Sequence, residues 1–229
     1  FLYFPFNYNY ITRQIIKTKR AKNLLASSKN NSNIINYTFK YVCFPLHFEP
    51  ERTTNPDGDI FHDQFIALIK LREIIPNEFK IIIKEHPSQF LIKDKGSKGR
   101  SPLFYPLIKN IKGILLAKTS ENSVNLILKS ELIATITGSV AIEASILGKK
   151  CITFGNTWYK GCPNTFEWKN SINYDSINKE EVKTPEDIQK FLIKLKNEYS
   201  VIGFQNGSQR DYFKSYINKD FLNKQYKTT

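Results

Sequence analysis

The segment Ile133-Ala-Thr-Ile-Thr-Gly-Ser-Val-Ala-Ile-Glu-Ala-Ser-Ile-Leu-Gly148, continued by Lys-Lys-Cys-Ile-Thr-Phe-Gly155, decides the fold. It reads as a buried strand, a tight Thr137-Gly138-Ser139 turn, a short apolar helix and a second buried strand. A helix that starts directly after a strand aims unpaired backbone N–H groups above the sheet, which favours an anion there. Gly138 permits close approach of the backbone to a ligand, and Ser139 is suited to cap the helix while offering a hydroxyl. Glu143 shares a helical stripe with Val140, Ala144 and Leu147 and is the one charge in that helix. A carboxylate on such a face needs a partner, and a ligand's hydroxyls would supply one. With Ser139 as cap, Glu143 lies one residue past the capping-box position, so capping does not account for it fully. A first-turn glutamate that simply favours the helix dipole is the plainer alternative.

Outward from this unit the same alternation continues in both directions. Tyr41 to Leu46 reads as a strand, Ile60 to Ile75 as an amphipathic helix ended by Pro76, and Lys80 to Lys84 as a strand. Three consecutive isoleucines in the last of these indicate a sheet covered on both faces. Pro102 to Asn110 reads as helix, Gly113 to Ala117 as strand, Ser123 to Lys129 as helix, and Glu131 to Thr137 as the strand of the opening segment. Val140 to Leu147 is the apolar helix and Cys151 to Phe154 the next strand; Pro185 to Tyr199 and Asp211 to Lys224 read as further helices. Residues 1–38, aromatic and then basic and Asn/Ser-rich, read as an N-terminal helical and linker segment ending near Asn36. The expected fold is therefore α/β: a Rossmann-like open parallel sheet over residues 39–229, with helices on both faces and C-terminal helices. Ligands in such sheets bind beyond the carboxyl ends of the strands.

Composition bounds the partners less tightly. The 229 residues suffice for one large or two small domains, and 41% hydrophobic content supports a real core. Lys plus Arg outnumber Asp plus Glu by 34 to 21, a net charge of +13, which favours anionic partners: nucleotides, acidic polysaccharide, phospholipid headgroups or nucleic acid. The lysines are scattered, so charge does not choose among these. Cys43, Cys151 and Cys162 are too few for a disulfide framework, and no pair has metal-ligand spacing. Cys43 and Cys151 sit in strand-like runs and read as core residues, and a reducing cytoplasm fits this usage. No apolar run approaches membrane-spanning length and no signal peptide is evident. The chain contains no Met, at its start or elsewhere, which suits a fragment of a longer protein.

Three further constellations lie at predicted strand ends. Lys84-Glu85-His86-Pro87 leaves the isoleucine strand at its carboxyl end, and Pro87 biases His86 towards extended backbone. Lys84 and His86, two apart, point the same way on a strand and suit a phosphate or carboxylate; Glu85 faces the other side. A histidine before proline also commonly just hydrogen-bonds the backbone. The loop Pro45-Leu-His47-Phe-Glu49-Pro-Glu51-Arg-Thr53-Thr54-Asn-Pro-Asp-Gly-Asp59 is long for a strand-to-helix connection, which marks function more often than chance, although a Pro-Asp-Gly surface turn would look similar. Its carboxylates lack paired metal-site spacing, so no metal is expected. Arg100, before the helix carrying Tyr105, is placed to clamp an anionic group.

Phe44 to Thr54, Lys84-Glu-His-Pro87, Arg100 with Tyr105, and Thr137-Gly-Ser-Val-Ala-Ile-Glu143 through Gly148 to Gly155 occur here in one order. This combination, over roughly residues 41–160, resembles the capsular polysaccharide biosynthesis family, whose relatives include bacterial Kdo transferases. The resemblance implies a GT-B glycosyltransferase: two Rossmann-like domains facing a cleft, the C-terminal one holding a nucleotide-sugar donor with no obligatory metal or other cofactor. It implies that this chain is that C-terminal half. His86 and the Thr137–Val140 loop would contact the donor phosphate, with Lys84 and Arg100 beside them, and Glu143 resembles the ribose-binding glutamate of such enzymes. Glu51 or His47 would act near the reacting sugar, and the donor would be CMP- or UDP-activated. A complete enzyme would carry an N-terminal acceptor domain, which residues 1–38 are too short to supply. The expected partners are a nucleotide sugar, a glycan or lipid-linked acceptor, and the inner-membrane surface approached from the cytoplasm. A nucleotide-sugar epimerase of similar architecture is the rival enzyme, and a non-catalytic basic binding module the rival outside enzymes. Against nucleic acid, the aromatics fall in predicted core positions and offer no stacking platform.

Overall fold

A computed structural model describes residues 8–51, 53–91 and 93–199 of the chain. Seven strands form one sheet: β1 (Ser32–Asn33), β2 (Tyr41–Pro45), β3 (Lys80–Lys84), β4 (Ile114–Ala117), β5 (Leu132–Thr135), β6 (Cys151–Thr153) and β7 (Thr165–Glu167). Their spatial order is β1-β4-β3-β2-β5-β6-β7, and every pairing is parallel. Without the two-residue edge strand β1, this is the strand order of a doubly wound dinucleotide-binding sheet. The expected open parallel sheet is what the chain forms.

Period-two alternation sorts the strand side chains between two cores. Val42, Phe44, Ile81, Ile83, Leu132 and Ala134 face α2 (Gln64–Ile74), α5 (Phe104–Lys109) and α8 (Tyr174–Lys179), the short helices α3 (Ser88–Leu91) and α4 (Lys93–Gly99) falling between β3 and α5 in the chain. Tyr41, Cys43, Ile82, Ile133 and Cys151 face α6 (Ser123–Leu128), α7 (Val140–Ile146) and α9 (Pro185–Tyr199). The isoleucine run of β3 thus feeds both layers, which is why it carries no polar alternation. Cys43 and Cys151 are core residues, and burial pushes the Cys43 thiol up to about 12.

Three local readings need correction. The N-terminal segment holds the expected helix, but it runs unbroken for 24 residues to Asn31 as α1 (Tyr8–Asn31), through residues expected to be a polar linker. Its inward stripe of Ala21, Leu24 and Ser28 is mostly small or polar, so no apolar period advertises it. The helix expected from Ile60 is broken in two: a 3₁₀ turn at Asp59–His62, then α2, whose start is capped by the Asp63 carboxylate accepting from Phe65 N–H at 3.0 Å. The edge strand β7 and helix α8 follow the glycine- and proline-containing stretch that had no strand or helix reading; β7 is only three residues long and half-buried. The expected helix from Asp211 to Lys224 lies outside the described residues.

Candidate functional site

The chain runs outward from β2 to β3 to β4, then crosses back to β5 on the other side of β2. The connections leaving β2 and β5 therefore diverge, and a crevice must open between them at the strands' carboxyl ends. A cavity of about 480 Å³ occupies that place. His47, Glu51 and Thr53 line it from the loop after β2, and His86 from the segment after β3. Ser123 enters at the start of α6, Thr137 to Val140 and Glu143 from the β5–α7 turn, and Trp158 from beyond β6. Two segments distant in sequence, at His86 and at Ser139, thus share one chamber.

His86 is exposed, and its orientation is fixed by its own turn. Ser88 N–H donates to His86 Nδ1 at 3.2 Å, which assigns the neutral ring's proton to Nε2. The backbone contact expected of a histidine before proline is present, and it leaves Nε2–H as a donor with no partner among the described residues.

His47 is 8% exposed and spent on internal contacts. Its Nε2 lies 3.0 Å from Thr135 Oγ1 and accepts from Thr137 N–H at 3.4 Å, so its proton sits on Nδ1. Nδ1 stands 3.9 Å from Glu51 Oε2, in charge–dipole range and too far for a hydrogen bond. The contact with His47, opposed by partial burial and helped by Thr53, holds the Glu51 carboxyl below the usual carboxylate range. Glu51 is therefore an ionised carboxylate at the cavity wall, its side chain 43% exposed.

The turn after β5 differs from expectation in one respect. Ser139 does not cap α7 through its side chain; its backbone is already helical, and its hydroxyl donates to Glu143 Oε1 at 3.1 Å. Glu143 is exposed, and of its stripe only Ala144 is buried, Val140 being half-buried and Leu147 exposed. No acceptor among the described residues takes the N–H of Ser139 or Val140. Gly138 is required for a packing reason: a Cβ there would sit 2.7 Å from Thr135 Oγ1 and 3.3 Å from His47 Cε1. Tyr159 hydroxyl donates to Gly138 O at 2.6 Å and pins the same residue from below.

Lys84 lines a smaller adjoining pocket of about 80 Å³ together with His86 and Ser123. It is 9% exposed, donates to Ser123 Oγ at 2.6 Å, and burial pulls its ammonium below the usual lysine range. Lys84 does not line the larger cavity, but Ser123, which takes its hydrogen bond, lines both, as does His86.

Arg100 is a correction. It is 4% exposed, and its guanidinium donates to Glu85 at 3.0 and 3.3 Å and to the His47 carbonyl at 2.9 Å, while lying 4.4 Å from the Phe104 ring centre. Tyr105 hydroxyl completes the cluster, donating to Glu85 Oε2 at 2.8 Å. Arg100 lines a different cavity, so it is not a ligand clamp in the shared one. Its place in the sequence before an aromatic helix looked like an anion site; its partner, Glu85, is 1% exposed and also accepts from His86 N–H at 2.9 Å.

Residues the sequence did not single out hold the loop after β2 in shape. Buried Gln64 accepts from His47 N–H at 2.9 Å and donates to His47 O at 3.2 Å and Glu49 Oε1 at 2.7 Å. Buried Gln89 accepts from Glu49 N–H at 2.8 Å and donates to Glu49 O and Gly96 O. Trp158, 65% exposed, stands in the cavity wall, contrary to the expectation that no aromatic platform is offered.

A doubly wound parallel sheet with its chamber at the switch point defines the class: an α/β domain of Rossmann-like fold. The chain belongs to the capsule polysaccharide biosynthesis protein family, whose profile matches residues 10–196. No curated protein sequence matches it. Among solved structures it is similar to the KpsC beta Kdo 2,4 transferase of Thermosulfurimonas dismutans, at 16% identity and TM-score 0.46, over 76% of this chain and 54% of that one. The beta Kdo 2,7 transferase of the same KpsC gives 14% and 0.45, over 77% and 52%. The UDP-GlcNAc 2-epimerase of Neisseria meningitidis gives 15% and 0.35, over 81% and 44%. The chain spans about half the length of the first two structures. Among the described residues no helix is long and apolar enough to cross a membrane, and no His, Cys, Asp and Glu side chains are grouped to hold a metal ion.

Proposed function

We propose that this chain is the donor-binding half of a glycosyltransferase of capsule synthesis, using a CMP- or UDP-activated sugar, with the acceptor held by a second domain. The observation that carries the reading is the convergence of His86 Nε2–H, Ser123 and the unpaired N–H groups of Ser139 and Val140 on one switch-point chamber. Its volume of about 480 Å³ lies in the range of small-molecule sites. Negative charge grows on the departing nucleotide phosphate, and fixed donors aimed at that charge lower the barrier without reorganising. Lys84 adds positive field through Ser123. Glu143, exposed beside Ser139, accepts the ribose hydroxyls.

In the transfer step an acceptor hydroxyl bonds to the anomeric carbon as the glycosyl–phosphate bond breaks, and the bonding pair leaves on the phosphate oxygen. The hydroxyl proton passes to Glu51, which is ionised and open to the chamber. His47 acts as a positioning residue, since Thr135 and Thr137 occupy its Nε2 and Glu51 faces its Nδ1. The lysine excess suits docking on an anionic inner-membrane surface.

Isothermal titration of the chain with CMP, UDP and ADP, and with duplex DNA at two salt concentrations, tests the proposal. One pyrimidine nucleotide binding with a one-to-one ratio supports it. Steeply salt-dependent DNA binding with no nucleotide affinity sinks it in favour of a basic binding module.

A further inference from the structure

We infer that Trp158 is the stacking platform for the planar base of the bound nucleotide, an inference that rests on the donor-site reading above. The indole is 65% exposed yet lines the chamber at its β6 side. An exposed tryptophan costs the fold apolar surface that a ring-bearing ligand would cover. It is also held in place. Its ring meets buried Tyr159 edge-on at 5.3 Å and 87°, and Tyr159 hydroxyl bonds to Gly138 O at 2.6 Å. The platform is thereby tied to the same turn that presents the unpaired N–H groups of Ser139 and Val140.

The order of groups along the sheet rim supports the assignment. His86 follows β3, Glu51 follows β2, Ser139 and Glu143 follow β5, and Trp158 follows β6. Three strand spacings separate the first from the last, roughly 14 Å at about 4.8 Å each. A nucleotide laid across the rim would meet its phosphate donors between β3 and β5, a carboxylate for its ribose at α7, and an aromatic face for its base beyond β6. Stacking on indole tolerates any base, so this contact supplies affinity for the nucleoside end and leaves the choice of base to other groups.

The test compares nucleotides with ribose 5-phosphate, which has the sugar and phosphate but no base. In Trp158→Ala, affinity for the bound nucleotide should fall roughly tenfold, the size typical of one lost base–aromatic contact, while ribose 5-phosphate binds as to the unaltered chain. Trp158→Phe should recover most of the loss. The chain has two tryptophans, so in a Trp168→Phe background the remaining indole should be quenched by the nucleotide and not by ribose 5-phosphate. Unchanged nucleotide affinity in Trp158→Ala overturns the platform while leaving the donor site standing. An equal loss for both probes also overturns it, because Trp158 would then only shape the turn. If the unaltered chain binds no nucleotide, the donor-site reading fails and the platform with it.

Discussion

Glu85 and His86 leave the same strand end one residue apart and meet opposite surroundings. Glu85 enters a sealed cluster in which Arg100 and Tyr105 satisfy both carboxylate oxygens. His86 enters the open chamber with one ring nitrogen held by the Ser88 N–H and the other without a partner among the described residues. Both look equally functional in the sequence, since each is a polar residue following a buried strand. The difference is whether the fold already supplies the partner. A charge completed by the protein holds shape; a donor left uncompleted at a cavity wall is where a ligand belongs.

The comparison breaks first on stability. Glu85→Ala strands the Arg100 guanidinium in the interior, and removing one partner of a buried ion pair costs about 3–5 kcal/mol. Urea unfolding should show that loss, with Arg100→Ala close behind. A loss below about 1 kcal/mol in both would mean the cluster is solvated, and Arg100 would become available to a ligand after all.

Gly138 joins the two regions, because its Cα packs on Thr135 and His47 while its carbonyl is held by Tyr159. Gly138→Ala places a methyl 2.7 Å from Thr135 Oγ1. Overpacking of this kind costs about 1–3 kcal/mol. Because the strain falls on the turn bearing Ser139, nucleotide affinity should drop as well, and the two losses should be read together by thermal unfolding and titration. An alanine variant with native stability and native affinity would show that the turn has slack.

His86→Ala sharpens the contrast from the other side. Its stability should stay within about 0.5 kcal/mol of the parent, as for other exposed substitutions. Its nucleotide affinity should fall roughly tenfold or more, since a hydrogen bond to a charged group is worth about 1.5–3 kcal/mol. Glu143→Ala should behave the same way with a smaller loss, because its one described partner is the Ser139 hydroxyl. Destabilisation with unaltered affinity in either variant would move that residue to the structural class.

What the sequence revealed follows from which forces are local. The three isoleucines of β3 and the Ile133–Gly155 unit announced themselves, because burial on both faces and a strand–turn–helix leave a period in the chain. The chamber's two walls were legible for the same reason, lying directly after those strands. Arg100 was misread because its partner, Glu85, is 15 positions away and meets it only through tertiary packing. Gln64 and Gln89 were missed because an amide that pegs a loop backbone has no spacing signature. Helix α1 was expected, but its run to Asn31 was not, because its inward stripe is small and polar; Trp158 was missed because exposure cannot be read from residue type.

The smallest effect concerns Glu51, whose neighbour His47 gives its carbonyl to Arg100 and its ring to the chamber wall. Contact with His47 holds the Glu51 carboxyl in the folded chain below its ordinary value of 4.5. Between the two values the unfolded chain binds the proton that the folded chain refuses, so stability rises with pH across that window. The contribution is complete above about pH 4.5 and is lost as pH falls through the depressed folded value. Glu51→Gln should therefore flatten the acid limb of the unfolding midpoint below the ordinary carboxylate value of 4.5. It should change neutral stability by less than about 1 kcal/mol, because the side chain is 43% exposed and screened by water. The same substitution should abolish sugar transfer in a complete enzyme while nucleotide affinity holds. An unchanged acid limb in Glu51→Gln would show that His47 does not act on this carboxylate, and the proton acceptor would have to be sought elsewhere on the chamber wall.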